Sequence, residues 1–266
     1  MVKNKQKKIA GLTYDEWLKK PGKKSAKPVR REEVKKYSNK IIAFVDVLGI
    51  KTLIEQHRNN DEYKAIDKIE KMRKIVEDST KIEKQTKNVD LEYLQISDSF
   101  VFVCDPKTVI MLIELLSTIQ MRIINECQFL LRGAITIGDA IVREFGKFII
   151  GPAYIQAYQL QENDAIYPRI IVDRSVTKAI KKSAHPIKGY LQRDSDKEFF
   201  VDYVKVYMQK ESLSKQKIKS RLSRENIFNC LRDRFKENYQ KENHNISQKY
   251  GWTIQYFKKL EVWENG

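Results

Sequence analysis

Five apolar residues stand without a break at Ile41-Ile42-Ala43-Phe44-Val45, most of them β-branched or aromatic. A short continuous run of this kind predicts a strand covered on both faces. It closes on Asp46-Val47-Leu48-Gly49, a strand-to-helix turn, with a helix from about Lys51 and a long charged helix over 61–84. Two further apolar segments, 92–96 and 99–104, flank Ser97-Asp98 and predict a hairpin ended by Pro106. Ile110, Ile113, Leu116, Ile119 and Ile123 recur at helical spacing, so 108–126 predicts an amphipathic helix. Strands follow at 129–138 and 145–150. A helix with Pro152 at its first position covers 152–161. A strand at 169–173, a short helix at 175–182 and a strand at 199–206 complete this region. Beyond about 210 the pattern is helical, with a break near 243–247.

The order from Ile41 is β-α-β-β-α-β and then further elements, with no internal repeat. This predicts an α+β fold of the ferredoxin-like, split βαβ kind with a C-terminal helical extension. Three segments are expected: a basic flexible arm over 1–37, a catalytic domain over 38–206 and a helical extension over 207–266. Within the arm, 12–18 predicts one short helix capped at Thr13.

The net charge of +16 suggests nucleic acid as a partner, but its distribution argues against that. Residues 1–40 hold 14 Lys and Arg against 4 Asp and Glu, so most of the excess lies in the arm, and 205–241 holds a second basic stretch. Cys104, Cys127 and Cys230 are odd in number, far apart and without zinc-like spacing, which favours a reducing cytoplasm over a disulfide framework. The apolar stretch 109–119 contains Glu114 and is too short to span a bilayer, and no signal peptide is evident.

Two acids stand out by position. Asp46 closes a buried strand, and Asp98 tips a hairpin that a split βαβ sheet places beside that strand. Carboxylates brought to one sheet edge repel unless a cation bridges them, and oxygen ligands favour Mg²⁺ or Mn²⁺. The plainer alternatives are a helix cap for Asp46 and an ordinary turn residue for Asp98. Gly49-Ile50-Lys51 at a helix start presents backbone N–H groups suited to phosphate. Arg132 is unusual in an apolar strand, unless it faces solvent. Tyr154 and Tyr158, four apart on one helix, suit packing in the core or between subunits. His57, His185 and His244 have polar surroundings and no evident partner.

The segment Phe44-Val45-Asp46-Val47-Leu48-Gly49-Ile50 resembles the opening motif of class III nucleotidyl cyclases, F-x-D-[IV]-x-G-[FY]. Ile96-Ser97-Asp98-Ser99 is similar to the family's hairpin with its second metal acid, and 131–138 to its next strand. The stretch 151–160, Gly-Pro-Ala-Tyr-Ile-Gln-Ala-Tyr-Gln-Leu, falls where the family has G-[DN]-T-V-N-x-A-x-R-[LM]. The pieces at 168–173 and 199–203, with Tyr250-Gly251-Trp252, resemble the bacterial pyrimidine cyclases of Pycsar anti-phage defence more closely than hormone-type cyclases. The resemblance covers about residues 40–206.

That resemblance implies a site with two divalent cations, Mn²⁺ or Mg²⁺, held by Asp46, Asp98 and the Val47 carbonyl. It implies a homodimer with active sites at the subunit interface, and no membrane. Leu94 and Phe148 stand where purine cyclases carry a Lys and an Asp that read the base, and Ile155 and Gln159 where they carry a transition-state Asn and Arg. The departures imply a pyrimidine substrate, UTP or CTP, converted to cUMP or cCMP as a second messenger in defence. Arg132, Lys147 or Lys51 would then supply the missing positive charge, and Tyr158 would be a substrate contact. A catalytically inactive nucleotide-binding module and a basic nucleic-acid-binding protein are the alternatives.

Overall fold

The computed structural model describes residues 36–50, 62–143, 146, 148–213, 224–241 and 243–259. The short helix expected at 12–18 and the helix start at Lys51 lie outside these residues. β1 (Ser38–Leu48) leads to α1 (Glu62–Lys87), β2 (Leu91–Ile96), β3 (Ser99–Cys104) and α2 (Val109–Cys127). β4 (Leu130–Arg143), β5 (Phe148–Ile150) and α3 (Pro152–Asn163) follow, then β6 (Ile170–Val172) and α4 (Arg174–Lys182). β7 (Leu191–Arg193), β8 (Phe199–Val201), α5 (Tyr203–Leu213), α6 (Arg224–Gln240) and α7 (His244–Lys259) complete the chain.

The sheet order is β2-β3-β1-β4-β6-β8-β7, with β5 paired to β4. Its first four strands are antiparallel in the order of the ferredoxin-like unit, and the fold is α+β as expected. β6 joins β4 in parallel, which starts the extension of the sheet.

Alternation along β1 separates two clusters. Ile41, Ala43, Val45 and Val47 join the main core with α1 and α2 residues, while Ile42 and Phe44 join a smaller cluster with Val101, Val103, Ala153 and Ala157. The second face is thus covered in part by α3. By length and composition, one helical stretch among the described residues, Pro106–Cys127, is apolar enough to cross a membrane, but 67% of it is buried inside the protein.

β1 and β4 approach closely at Gly133. A Cβ there would lie 2.5 Å from the Phe44 carbonyl oxygen and 3.1 Å from Val45 Cα, both backbone atoms that cannot swing aside. Overpacking costs about 1–3 kcal/mol. Gly133→Ala is expected at the upper end of that range, read as a lowered urea midpoint at unchanged slope. A midpoint equal to wild type would show that the strands can part freely here.

The strand expected over 199–206 ends at Val201. Tyr203, Val204 and Tyr207 are buried at helical spacing in α5, which a short apolar run cannot distinguish from a strand. α5 crosses the boundary drawn at 206. Trp252 on α7 lies against buried Arg169, which pairs with Asp194 and Asp196 beneath the rings of Tyr167, Phe200 and Trp252. Trp252 Nε1 donates to Asp194 Oδ2 at 2.8 Å, and Tyr256 Oη donates to buried Asp202 at 2.6 Å. The C-terminal helix is therefore fixed to the sheet by paired polar groups, while Arg169 Nε is buried without a partner among the described residues.

Candidate active site

The C-terminal end of β1, the N-terminal end of β4 and the β2–β3 turn lie together. In register, Asp46 stands opposite Ser99 on β3 and Arg132 on β4. Val47 N donates to the Asp98 carbonyl at 3.2 Å, which stitches the turn to β1. Ser97 has φ +56° and lets the hairpin close in two residues.

Asp46 Oδ1 accepts from Ser99 Oγ and Oδ2 from Arg132 Nε, each at 3.2 Å. Burial pushes the Asp46 carboxyl above its ordinary range; Arg132 pulls it back, and the nearby Asp98 carboxylate adds to the rise. The Asp98 carboxylate is therefore close enough to disfavour the charge of Asp46. Asp46 thus contacts side chains of two neighbouring strands.

Arg132 does not face solvent, contrary to its plainer alternative. Its guanidinium reaches Asp46, and Nη2 lies 3.9 Å from Glu162 Oε2 on α3. With the amide oxygen of buried Gln161 turned toward it, Nε and Nη2 also donate to that oxygen at 3.1 Å each. Arg132 is thus first a counter-ion for Asp46. Gly49 has φ +92° at the turn after β1, a conformation that suits glycine, and Ile50 is buried. Lys51 and Lys147, two of the three candidate sources of positive charge, lie outside the described residues.

The base-reading candidates part company. Leu94 packs with Val142, Ile149 and Tyr154 around the smaller cluster. Phe148 does not join it. Phe148 is exposed, with the Arg143 guanidinium 5.7 Å from its ring centre, because the register Arg143↔Phe148 turns Ile149 to the other side of β5. The β4–β5 hairpin does pass over β2, since a Cβ on Gly146 would meet Glu92 Cβ at 2.7 Å. Tyr158 packs its ring edge-on against Phe44 at 5.4 Å and leaves much of its surface exposed. Ile96, Phe148, Ile150, Ile155 and Tyr158 are all exposed apolar side chains, and Gln159 lies on the same helix as the last two.

Among the described residues no group of three or more His, Cys, Asp or Glu is placed to hold a metal. The donors here are the two carboxylates, with the Val47 carbonyl as the expected third. This all-oxygen set suits Mg²⁺ or Mn²⁺, ions that keep several waters and are commonly completed by substrate phosphate. Two residues near the acids had no motif to mark them. Gln161 is one. Lys249 on α7 is the other: it is half-buried, and Arg132 and Asp46 are its charged neighbours.

No family model matches the chain, and no curated protein matches it. Solved structures do. The chain is 14% identical to the monomeric guanylyl cyclase domain of the RhoGC fusion protein of the aquatic fungus Blastocladiella emersonii, covering 64% of this chain and 97% of that one, with a TM-score of 0.46. The guanylate cyclase domain of RhGC from Catenaria anguillulae, solved in complex with GTP, gives 12%, 63%, 97% and 0.47. A class III adenylyl cyclase-like ATP-binding protein from Pseudomonas aeruginosa gives 12%, 67%, 41% and 0.46. Likeness at this level does not carry function, and the reading below rests on the geometry of the site.

Proposed function

We propose that this chain is a nucleotidyl cyclase that converts UTP or CTP to the 3′,5′-cyclic monophosphate and pyrophosphate. The observation that carries this reading is the convergence of Asp46 and Asp98 at one end of the sheet, beside a turn with Gly49 at positive φ. Asp46, Asp98 and the Val47 carbonyl would hold two divalent cations. When bound, these supply Lewis-acid activation of the α-phosphate and of the ribose 3′-hydroxyl. Gly49, Ile50 and Lys51 would present backbone N–H groups to the β- and γ-phosphates. The ribose 3′-oxygen attacks the α-phosphorus in line, its proton passes to solvent, and the bond to pyrophosphate breaks. The chain's own share of the work is to align these groups and to balance charge.

Arg132 would hold Asp46 in place until substrate arrives, and then add positive charge near the phosphates. Leu94 would form the wall at the base, with Phe148 and Tyr158 reaching substrate from the exposed face. A second copy of the chain would cover Ile96, Ile150, Ile155 and Tyr158 and complete the site in a homodimer. The likeness of the 168–173 and 199–203 segments to pyrimidine cyclases supports a role for the product as a signal in anti-phage defence, inside the cytoplasm.

Mn²⁺ titration followed by electron paramagnetic resonance tests the metal part of this reading. With UTP present, wild type is expected to bind two ions per chain. Asp98→Asn is expected to lose at least one. Binding that is equal in both proteins would remove Asp98 from the ligand set.

A further inference from the structure

Three residues of α3 are buried at intervals of four, Ala153, Ala157 and Gln161, and form one face laid on the sheet. The alanines let the helix lie close, since a Cβ on Gly138 would stand 3.4 Å from that of Ala153. The third position meets the start of β4 and carries an amide where an apolar side chain would pack. A polar group in such a place costs stability unless it is paired. Gln161 is 2% exposed, and its amide oxygen faces the Arg132 guanidinium, whose Nε and Nη2 both donate to it at 3.1 Å.

Arg132 Nε carries a single hydrogen. That hydrogen has two acceptors, the Gln161 oxygen at 3.1 Å and Asp46 Oδ2 at 3.2 Å. One is a neutral amide and the other a carboxylate. A cation that arrives at Asp46 must displace Arg132 from that carboxylate. The Arg132 side chain is only 19% exposed, and a guanidinium stripped of its partner there is strongly disfavoured. With Gln161 in place, Nε keeps an acceptor after Asp46 leaves. Without it, the guanidinium stays on Asp46 and competes with the cation.

We propose that Gln161 is a positioning residue that takes over the Arg132 Nε–H when Asp46 turns to a divalent cation, and so keeps that acid available. This rests on reading Asp46 as a cation ligand. A neutral acceptor suits the task, because it holds the guanidinium without cancelling its charge.

Titration of the full-length chain with Mn²⁺ alone, followed by electron paramagnetic resonance, tests the handover. Gln161→Leu is expected to bind Mn²⁺ about tenfold more weakly than wild type, about 1.4 kcal/mol. Gln161→Glu keeps an acceptor for Nε and should bind at least as tightly as wild type. Arg132→Met frees Asp46 and should do the same. Adding Gln161→Leu to Arg132→Met should then change the affinity by less than about twofold, because the partner it acts through is gone. A side chain that only fills space would weaken binding equally in both backgrounds, or in neither. Gln161→Met serves if the Leu variant fails to fold. Equal or tighter Mn²⁺ binding by Gln161→Leu overturns the handover and leaves the cyclase reading standing. An equal loss in the Arg132→Met background, or a loss in Gln161→Glu, does so too. A loss confined to Gln161→Leu chains that keep Arg132 supports it. Absence of Mn²⁺ binding by wild type overturns both the handover and the reading of Asp46 as a ligand.

Discussion

Asp46→Asn is expected to lower turnover by at least about 100-fold, about 2.7 kcal/mol of barrier, while the protein stays folded. The amide keeps the size of the side chain; its oxygen can still accept from Arg132 Nε and its NH₂ can donate to Ser99 Oγ, but it is a poor ligand for a hard dication. Stability should not fall. The folded chain holds the Asp46 proton more tightly than the unfolded chain, because burial outweighs Arg132. Stability linked to this group is therefore present at low pH and is lost as pH rises through the raised value. At neutral pH the ionised carboxylate is a net cost that asparagine removes. Asp98→Asn should lose turnover to a similar degree. A variant at either position that kept more than about a tenth of the wild-type rate, about 1.4 kcal/mol or less, would remove the two-metal assignment.

UTP or CTP is expected to be cyclised at least tenfold faster than ATP or GTP at equal concentration. Leu94, where the base wall is expected, packs against the same small cluster as Val142 and Ile149, all apolar. A purine pressed against it would leave ring donors and acceptors unpaired, at about 1–3 kcal/mol each. A single-ring base is shorter and can keep its polar edge in water. Phe148 is exposed under Arg143, whereas Ile149 packs against the same small cluster as Leu94 and is the better candidate for the wall. Leu94→Lys should therefore narrow the preference by restoring a donor at the wall. Competition rates with mixed triphosphates give the ratio directly. Equal or faster use of ATP or GTP would end the pyrimidine reading.

Much of the sheet was legible because its strands have clean patterns. The run from Ile41 and the two-residue hairpin at Ser97-Asp98 appear where periodicity and turn chemistry place them. α2 and α3 begin within one residue of expectation, the second at its proline. β7 was missed because three residues carry no period, and α5 was read as strand because Tyr203-Val204 follows apolar Val201 after a single Asp. The site was only half legible. Asp46 and Asp98 follow from topology, but the inward turn of Arg132 depends on its register with Asp46 and on Gln161 and Glu162 from another element. Lys249 could not be found from motif spacing. Arg169, Asp194 and Trp252 dock the far end of the chain onto the sheet, a contact between distant segments that no local pattern announces.

We propose that this arrangement closes a ribose 3′-oxygen onto its own α-phosphate. Purified chain incubated with each of the four ribonucleoside triphosphates and Mn²⁺, with products resolved by mass spectrometry, tests it most directly. The expected products are 3′,5′-cyclic UMP or CMP with one pyrophosphate per turnover, and no product is expected from Asp46→Asn. No cyclic nucleotide from any triphosphate, in a protein that is folded and binds Mn²⁺, would contradict it.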